Sequence, residues 1–186
     1  MVKSPQLSAE DWVLAGFRAL THKGPHALRA EPLARDLKVT KGSFYWHFKD
    51  VAAFHDAMLT LWETRAFHDI ADALNRIPDP ASRLRMLAEI SATPSDEQYG
   101  GIGAETAIRA WGRSHQGVAE AVRRVDGQRI AYVRRILEDL GLAPDPWARL
   151  VYAAYVGLED QSTRDAADNL PAMRGMVEMI LSQAPR

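Results

Sequence analysis

The sequence predicts an all-α fold: an N-terminal three-helix helix-turn-helix unit joined by a long helix to a C-terminal helical bundle, about nine helices in all. Three observations carry that expectation. Apolar residues recur at three- and four-residue spacing along most of the chain. Helix-capping residues stand at the head of successive apolar stretches, and strand signals are almost absent.

Ser8 caps a first helix running to about Lys23, with Asp11 in the place of a capping-box acid. Trp12, Leu14, Ala15, Phe17, Ala19 and Leu20 give this helix a broad apolar stripe, and Gly24-Pro25 ends it. A short second helix spans about Ala30 to Leu37. Pro32 falls in its first turn, where no ladder hydrogen bond is lost. Thr40 caps a third helix from Lys41 to about Phe48, and Val39 with Phe44 forms a hydrophobic staple that sets its angle of entry.

Asp50 caps a long fourth helix over about Val51 to Asn75. Asp79-Pro80 and Asp145-Pro146 read as further cap-plus-proline starts. Between them lie helices at about 80–91, 102–113 and 116–140, the last closed by Gly141. Two more occupy about 146–164 and 170–183, and Thr93 to Gly101 reads as a loop. The division falls between residues 1–48 and 49–186, with the fourth helix as a rigid connection.

A chain of 186 residues with 47% hydrophobic content suffices for one large or two small packed domains. Cysteine is absent, which excludes disulfides and thiolate metal sites and fits a reducing compartment. The opening MVKSPQLSAEDW lacks the pattern of a secretory leader. Leu150 to Leu158, the longest apolar stretch, is too short to cross a bilayer, so a cytoplasmic protein with no membrane partner is expected. The net charge of −1 divides unevenly: residues 1–50 hold 8 basic and 5 acidic side chains, residues 51–186 hold 15 and 19. The basic end is the one suited to phosphate.

At 100° per residue, Phe44 and Phe48 fall on one side of the third helix and face the core. Gly42 and Trp46 lie opposite, flanked by Ser43 and Tyr45, with Lys41 at one end and His47 and Lys49 at the other. Exposed Trp and Tyr suit stacking on sugars, contact with thymine methyls and hydrogen bonds to phosphate. Gly42 permits close backbone approach. A helix about 12 Å long fits one major groove.

Leu33-Ala34-Arg35-Asp36-Leu37 followed by Val39-Thr40-Lys41-Gly42-Ser43-Phe44-Tyr45-Trp46-His47-Phe48-Lys49-Asp50 resembles the DNA-binding signature of the TetR family. The nine-helix layout is similar too, so the resemblance extends over nearly the whole chain. It implies that Thr40, Lys41, Gly42, Tyr45, Trp46 and His47 face double-stranded operator DNA and that Lys49 grips a phosphate. Two positions depart from the pattern. Lys38 stands where glycine is usual, at a cost of about 1 kcal/mol or more if its backbone is left-handed. Arg29 replaces a hydroxyl residue at the head of the second helix and offers phosphate a charged donor instead.

Leu150 to Leu158 is apolar nearly all round, so both sides of that helix need covering. With Met173, Met176, Val177, Met179 and Ile180 it resembles the helix pair through which TetR-like subunits form homodimers, and Val151, Tyr155, Leu158, Met173, Met176 and Ile180 are the expected interface. By the same resemblance a small-molecule effector, apolar or aromatic, is expected among Met58, Trp62, His68, Met86, Glu105, Arg109, Trp111, Trp147, Tyr152 and Tyr155. Glu105 and Arg109 are spaced i, i+4, ordinarily a surface ion pair. No cofactor or metal is expected. His22 and His26 flank Gly24-Pro25 rather than share a helix face, and neither a Gly-rich phosphate loop nor a nucleophile elbow is present. The expectation is a ligand-released repressor and not an enzyme, with an inducer-free or protein-regulated DNA-binding factor as the alternative.

Overall fold

Ser8 opens α1 (Ala9–Lys23) by accepting from the Asp11 amide, while the Ser8 amide donates to the Asp11 carboxylate at 2.7 Å. The reciprocal pair satisfies two donors that a helix start leaves free. The computed structural model describes residues 7–185; the first six residues, part of the opening read above for a leader, lie outside it. Among the described residues every regular element is helical.

After α1 come α2 (Ala30–Asp36) and α3 (Lys41–His47). Lys38, between them, has φ 56°, so a lysine does hold the left-handed position at which glycine is ordinarily found. Thr40 takes the extended backbone of a cap, but its hydroxyl makes no capping hydrogen bond. Arg29 stands likewise at the head of α2 without a side-chain cap.

Asp50 caps α4 (Val51–Glu63) by accepting from the Ala53 amide at 2.8 Å. This helix continues through a π-helical turn, Thr64–His68, into α5 (Asp69–Asn75), so the expected rod is continuous but re-phased midway. A π turn shifts the register of the helix ladder. The Ala66 carbonyl within it accepts from Arg129 Nε at 3.0 Å.

Asp79 caps α6 (Pro80–Ala92), and a short 3₁₀ turn, Glu97–Tyr99, occupies the segment expected to be an unstructured loop. Then follow α7 (Ala104–Gly112), α8 (Gln116–Asp139), α9 (Trp147–Asp165) and α10 (Leu170–Leu181). Asp145 does not cap α9. Its carboxylate is held by Arg134 at 2.6 Å, and Pro146 takes the cap position.

Two apolar cores result. One joins Trp12, Phe44, Phe48 and Phe54 to Ile108, Trp111, Val118 and Val125, so α1–α4 share a core with α7 and the first half of α8. The other joins Leu74, Leu84, Ile136 and Leu137 to Val151, Met173, Val177 and Ile180. Gly16 lets α1 cross α4 closely: a Cβ there would lie 2.7 Å from Met58 Sδ and Phe54 Cζ. His55 ties the first core to the start of α2, its Nε2 donating to the Leu28 carbonyl at 3.1 Å and its ring set edge-on to Trp111 at 4.9 Å. Burial lowers the pKa of His55.

Candidate nucleic-acid interface and internal cavity

Phe44 anchors α3. It is fully buried and packs edge-on against Trp12 and Phe54, with centroids 5.3 Å away in each case, and 5.2 Å from Phe48. That aromatic cluster fixes the helix about its axis and therefore decides what points outward. Trp46 is 88% exposed and Tyr45 49%. Tyr45 is braced by Phe44, at 5.3 Å and 82°, with Lys41 Nζ 6.0 Å from its ring centroid. Arg29, Thr40, Lys41, Gly42 and Lys49 are exposed, while Ser43 and His47 are half-buried at the edges of the same face. An indole held almost wholly in water by a rigid helix has no packing role within the subunit.

The second feature is a cavity of about 480 Å³ enclosed by the rod, α6, α7, α8 and α9. Its apolar part includes Phe17, Trp62, Phe67, Ile70, Leu74 and Ile108. The polar wall holds Glu105, Arg129, Tyr152, Tyr155 and Glu159, with Arg65 and Asp96 also on the lining. Glu105 is buried and accepts from Arg109 at 2.8 Å and Arg129 at 2.9 Å. Arg109 also donates to Asp126 and to Tyr152, and Tyr152 donates to Asp126 at 2.6 Å. The expected surface pair is thus the centre of a covered network, because α8 and α9 lie over it.

Burial works against the charges of Arg109 and Arg129, but Asp126 and Glu105 outweigh it for Arg109, and Tyr155 and Glu105 for Arg129, and hold both pKa values above the ordinary one. Asp126 is half-buried, and its pKa is lowered against that burial by the hydrogen bonds from Arg109 and Tyr152. Burial and its hydrogen bond to Asp126 push Tyr152 up to about 12.

Of the residues expected at an effector site, Trp62, Glu105, Tyr152 and Tyr155 line this cavity. The others do not. Met58 fills the crossing of α1 and α4 against Gly16, and Trp111 packs with His55 and His115 in the first core. His68 is exposed on the π turn and Met86 on α6. Arg109 lies behind Glu105 rather than on the wall, and Trp147 packs on the second core. Arg129 and Glu159 were missed, although Glu159 follows Tyr152 and Tyr155 at a spacing that puts all three on one helix face.

The expected subunit interface also needs correction. Val151 and Ile180 are buried in the subunit's own core, and Tyr155 faces the cavity. What α9 and α10 leave outside is a shallow groove lined by Ala154, Gly157, Leu158, Ala172 and Met176, with Met173 in its floor, flanked by Leu150 at 52% and Met179 at 55% exposure. Side chains three and four apart share a face, so the stretch that is apolar all round turns Val151 and Tyr155 inward and Ala154 and Leu158 toward the groove.

Residues 13–58, which include α3, match the model for bacterial regulatory proteins of the tetR family. Over that segment the chain is similar to the tetR family. The solved structure of a transcriptional regulator from Rhodococcus sp. Rha1 is similar over 96% of each chain, with a TM-score of 0.77 and 16% identity. A Rhodococcus sp. structure assigned to the TetR family covers 93% of this chain and 98% of its own, with a TM-score of 0.70 and 19% identity. FadR from Bacillus subtilis, in complex with stearoyl-CoA, covers 94% and 98%, with a TM-score of 0.66 and 12% identity. No curated protein matches the chain. The TetR-like fold therefore extends over the C-terminal helices as well. Among the described residues no helix is long and apolar enough to cross a membrane, and no group of three metal-ligating side chains is placed to hold an ion.

Proposed function

We propose that the chain is a cytoplasmic transcriptional repressor that binds a two-fold operator as a homodimer and is released when a small molecule enters the cavity. Residues 1–48 read DNA and residues 49–186 sense and pair. The single observation that carries the DNA reading is Trp46, 88% exposed on a helix whose rotation is fixed by Phe44. The cavity of about 480 Å³ favours a ligand-responsive regulator over an inducer-free one.

The rod supplies the connection. Its N-terminal end carries Lys49 and Asp50 beside the recognition helix, and Leu61, Trp62, Ala66, Phe67, Ile70 and Leu74 along its body line the cavity. A ligand between the rod and Tyr155 displaces the rod, and the shared first core transmits that displacement to α3. Half-sites lie about 34–36 Å apart per helical turn, so a small change in spacing prevents both recognition helices from docking together.

The DNA reading is tested on a duplex selected from a random pool by the protein itself. Trp46→Ala or Lys41→Ala relaxes the preference for that duplex by about 1–3 kcal/mol per lost contact. Lys49→Ala weakens binding to all duplexes alike and lowers the salt slope by about one. A Trp46→Ala protein with unchanged affinity and preference overturns the assignment of the face. The ligand reading is tested by titrating a compound that quenches tryptophan fluorescence, with and without the selected duplex. Coupling is reciprocal, so an effector binds the DNA complex more weakly by the factor by which it weakens DNA binding, about 5–150-fold. A compound whose affinity ignores the duplex is not an effector.

A further inference from the structure

Among the described residues one carboxylate of the cavity wall has neither an ion pair nor a hydrogen bond, whereas Asp96 on the same wall accepts from Gln98. Glu105 and Asp126 are answered by Arg109 and Arg129, so those four charges cancel. Arg129 is tied to the wall: both terminal nitrogens donate to Glu105 and Nε donates to the Ala66 carbonyl. Glu159 lines the same cavity one turn beyond Tyr155, and among the described residues nothing forms an ion pair or hydrogen bond with it. Burial and the charge of Glu105 push its carboxyl pKa up against the opposing charge of Arg129. The rings of Tyr152 and Tyr155 line the same wall, with centroids 6.0 Å apart and Arg109 and Arg129 over one face of each, and among the described residues the Tyr155 hydroxyl has no hydrogen bond.

We propose that the cavity selects an amphiphilic organic cation, with its amine or quaternary ammonium group against Glu159 and its hydrocarbon body among Trp62, Phe67, Ile70 and Leu74. This deepens the effector-cavity reading and rests on it. A partly buried carboxylate without a paired counter-charge is costly, and a cationic head group lowers that cost. Tyrosine faces attract cations further. A neutral ligand leaves Glu159 unanswered. An anionic one meets Glu159 with like charge, while Arg65, Arg109 and Arg129 each already face a carboxylate of the chain, Asp69, Asp126 and Glu105.

The test uses the full chain without DNA and three probes of one tail length: decyltrimethylammonium, decanol and decanoate, each followed by tryptophan fluorescence. Decyltrimethylammonium binds about tenfold or more tighter than decanol, and decanoate binds weakest. Glu159→Gln brings the cation to within about twofold of decanol and leaves decanol unchanged, which also shows that the cavity is intact. Decanol or decanoate binding as tightly as the cation overturns the proposal, as does a Glu159→Gln protein that keeps the preference. Equal binding of all three leaves the effector cavity standing and removes only the charge selection. Binding of none removes both.

Discussion

Replacing Glu105 by Ala is expected to destabilise the folded chain by about 3–5 kcal/mol, an effect comparable to a large share of a domain's stability. The reason is what remains rather than what is lost. Arg129 and Arg109 would keep their burial with one carboxylate fewer, and Arg109 already has a buried Nε without a partner. Breaking a covered ion pair from one side strands a charge, whereas removing both partners does not. The double variant Glu105→Leu with Arg129→Met should therefore be less destabilised than the sum of its two single variants. Urea unfolding followed by circular dichroism gives all four corners of the cycle. A Glu105→Ala protein within about 1 kcal/mol of the parent would mean that the network is solvated and its charges individually cheap.

That network also marks where the sequence stops being legible. Its helix starts are local physics: Ser8, Asp50 and Asp79 accept from amides three residues on, which depends on nothing distant. The rotation of α3 is local as well, since Phe44 and Phe48 fall on one face and Trp46 must then fall on the other. Glu105 and Arg109 looked like a surface pair because i, i+4 spacing says they meet but not what covers them. Their covering comes from Asp126 and Arg129 on α8 and Tyr152 on α9. The π turn has the same character, with its Ala66 carbonyl held by Arg129, 63 positions away. Asp145 had the right residue type for a cap, yet Arg134 engages its carboxylate and the local rule gives way to a stronger charged partner. Periodicity identified the inward side of each helix but could not separate a filled interior from a void. Met58 and Trp62 illustrate this, one closing the crossing with α1 and the other lining the cavity.

The groove on α9 and α10 leads to the second large effect. Leu150, Ala154, Gly157, Ala172 and Met179 form an apolar strip on the outside of the subunit, and a Cβ built on Gly157 or Gly175 meets nothing within 4 Å. Such a surface leaves room for a second helix pair to approach closely, and in the proposed homodimer a copy of the same surface related by a two-fold axis would supply it. Ala172→Glu and Gly157→Glu introduce a charge that stays in water in the monomer, so the subunit still folds. In a dimer the same charge is buried without a partner, at about 3–5 kcal/mol, enough to give monomers at micromolar concentration. Operator affinity should fall steeply in these variants, since one recognition helix can no longer deliver its partner to the second half-site. Sedimentation equilibrium with circular dichroism separates loss of pairing from loss of folding. A parent protein that is monomeric at micromolar concentration, or variants that pair as the parent does, would place the covering surface elsewhere. Substitution at Val151 or Ile180 is not an equivalent test: both are buried in the subunit's own core, and a charge there unfolds the subunit before it can report on pairing.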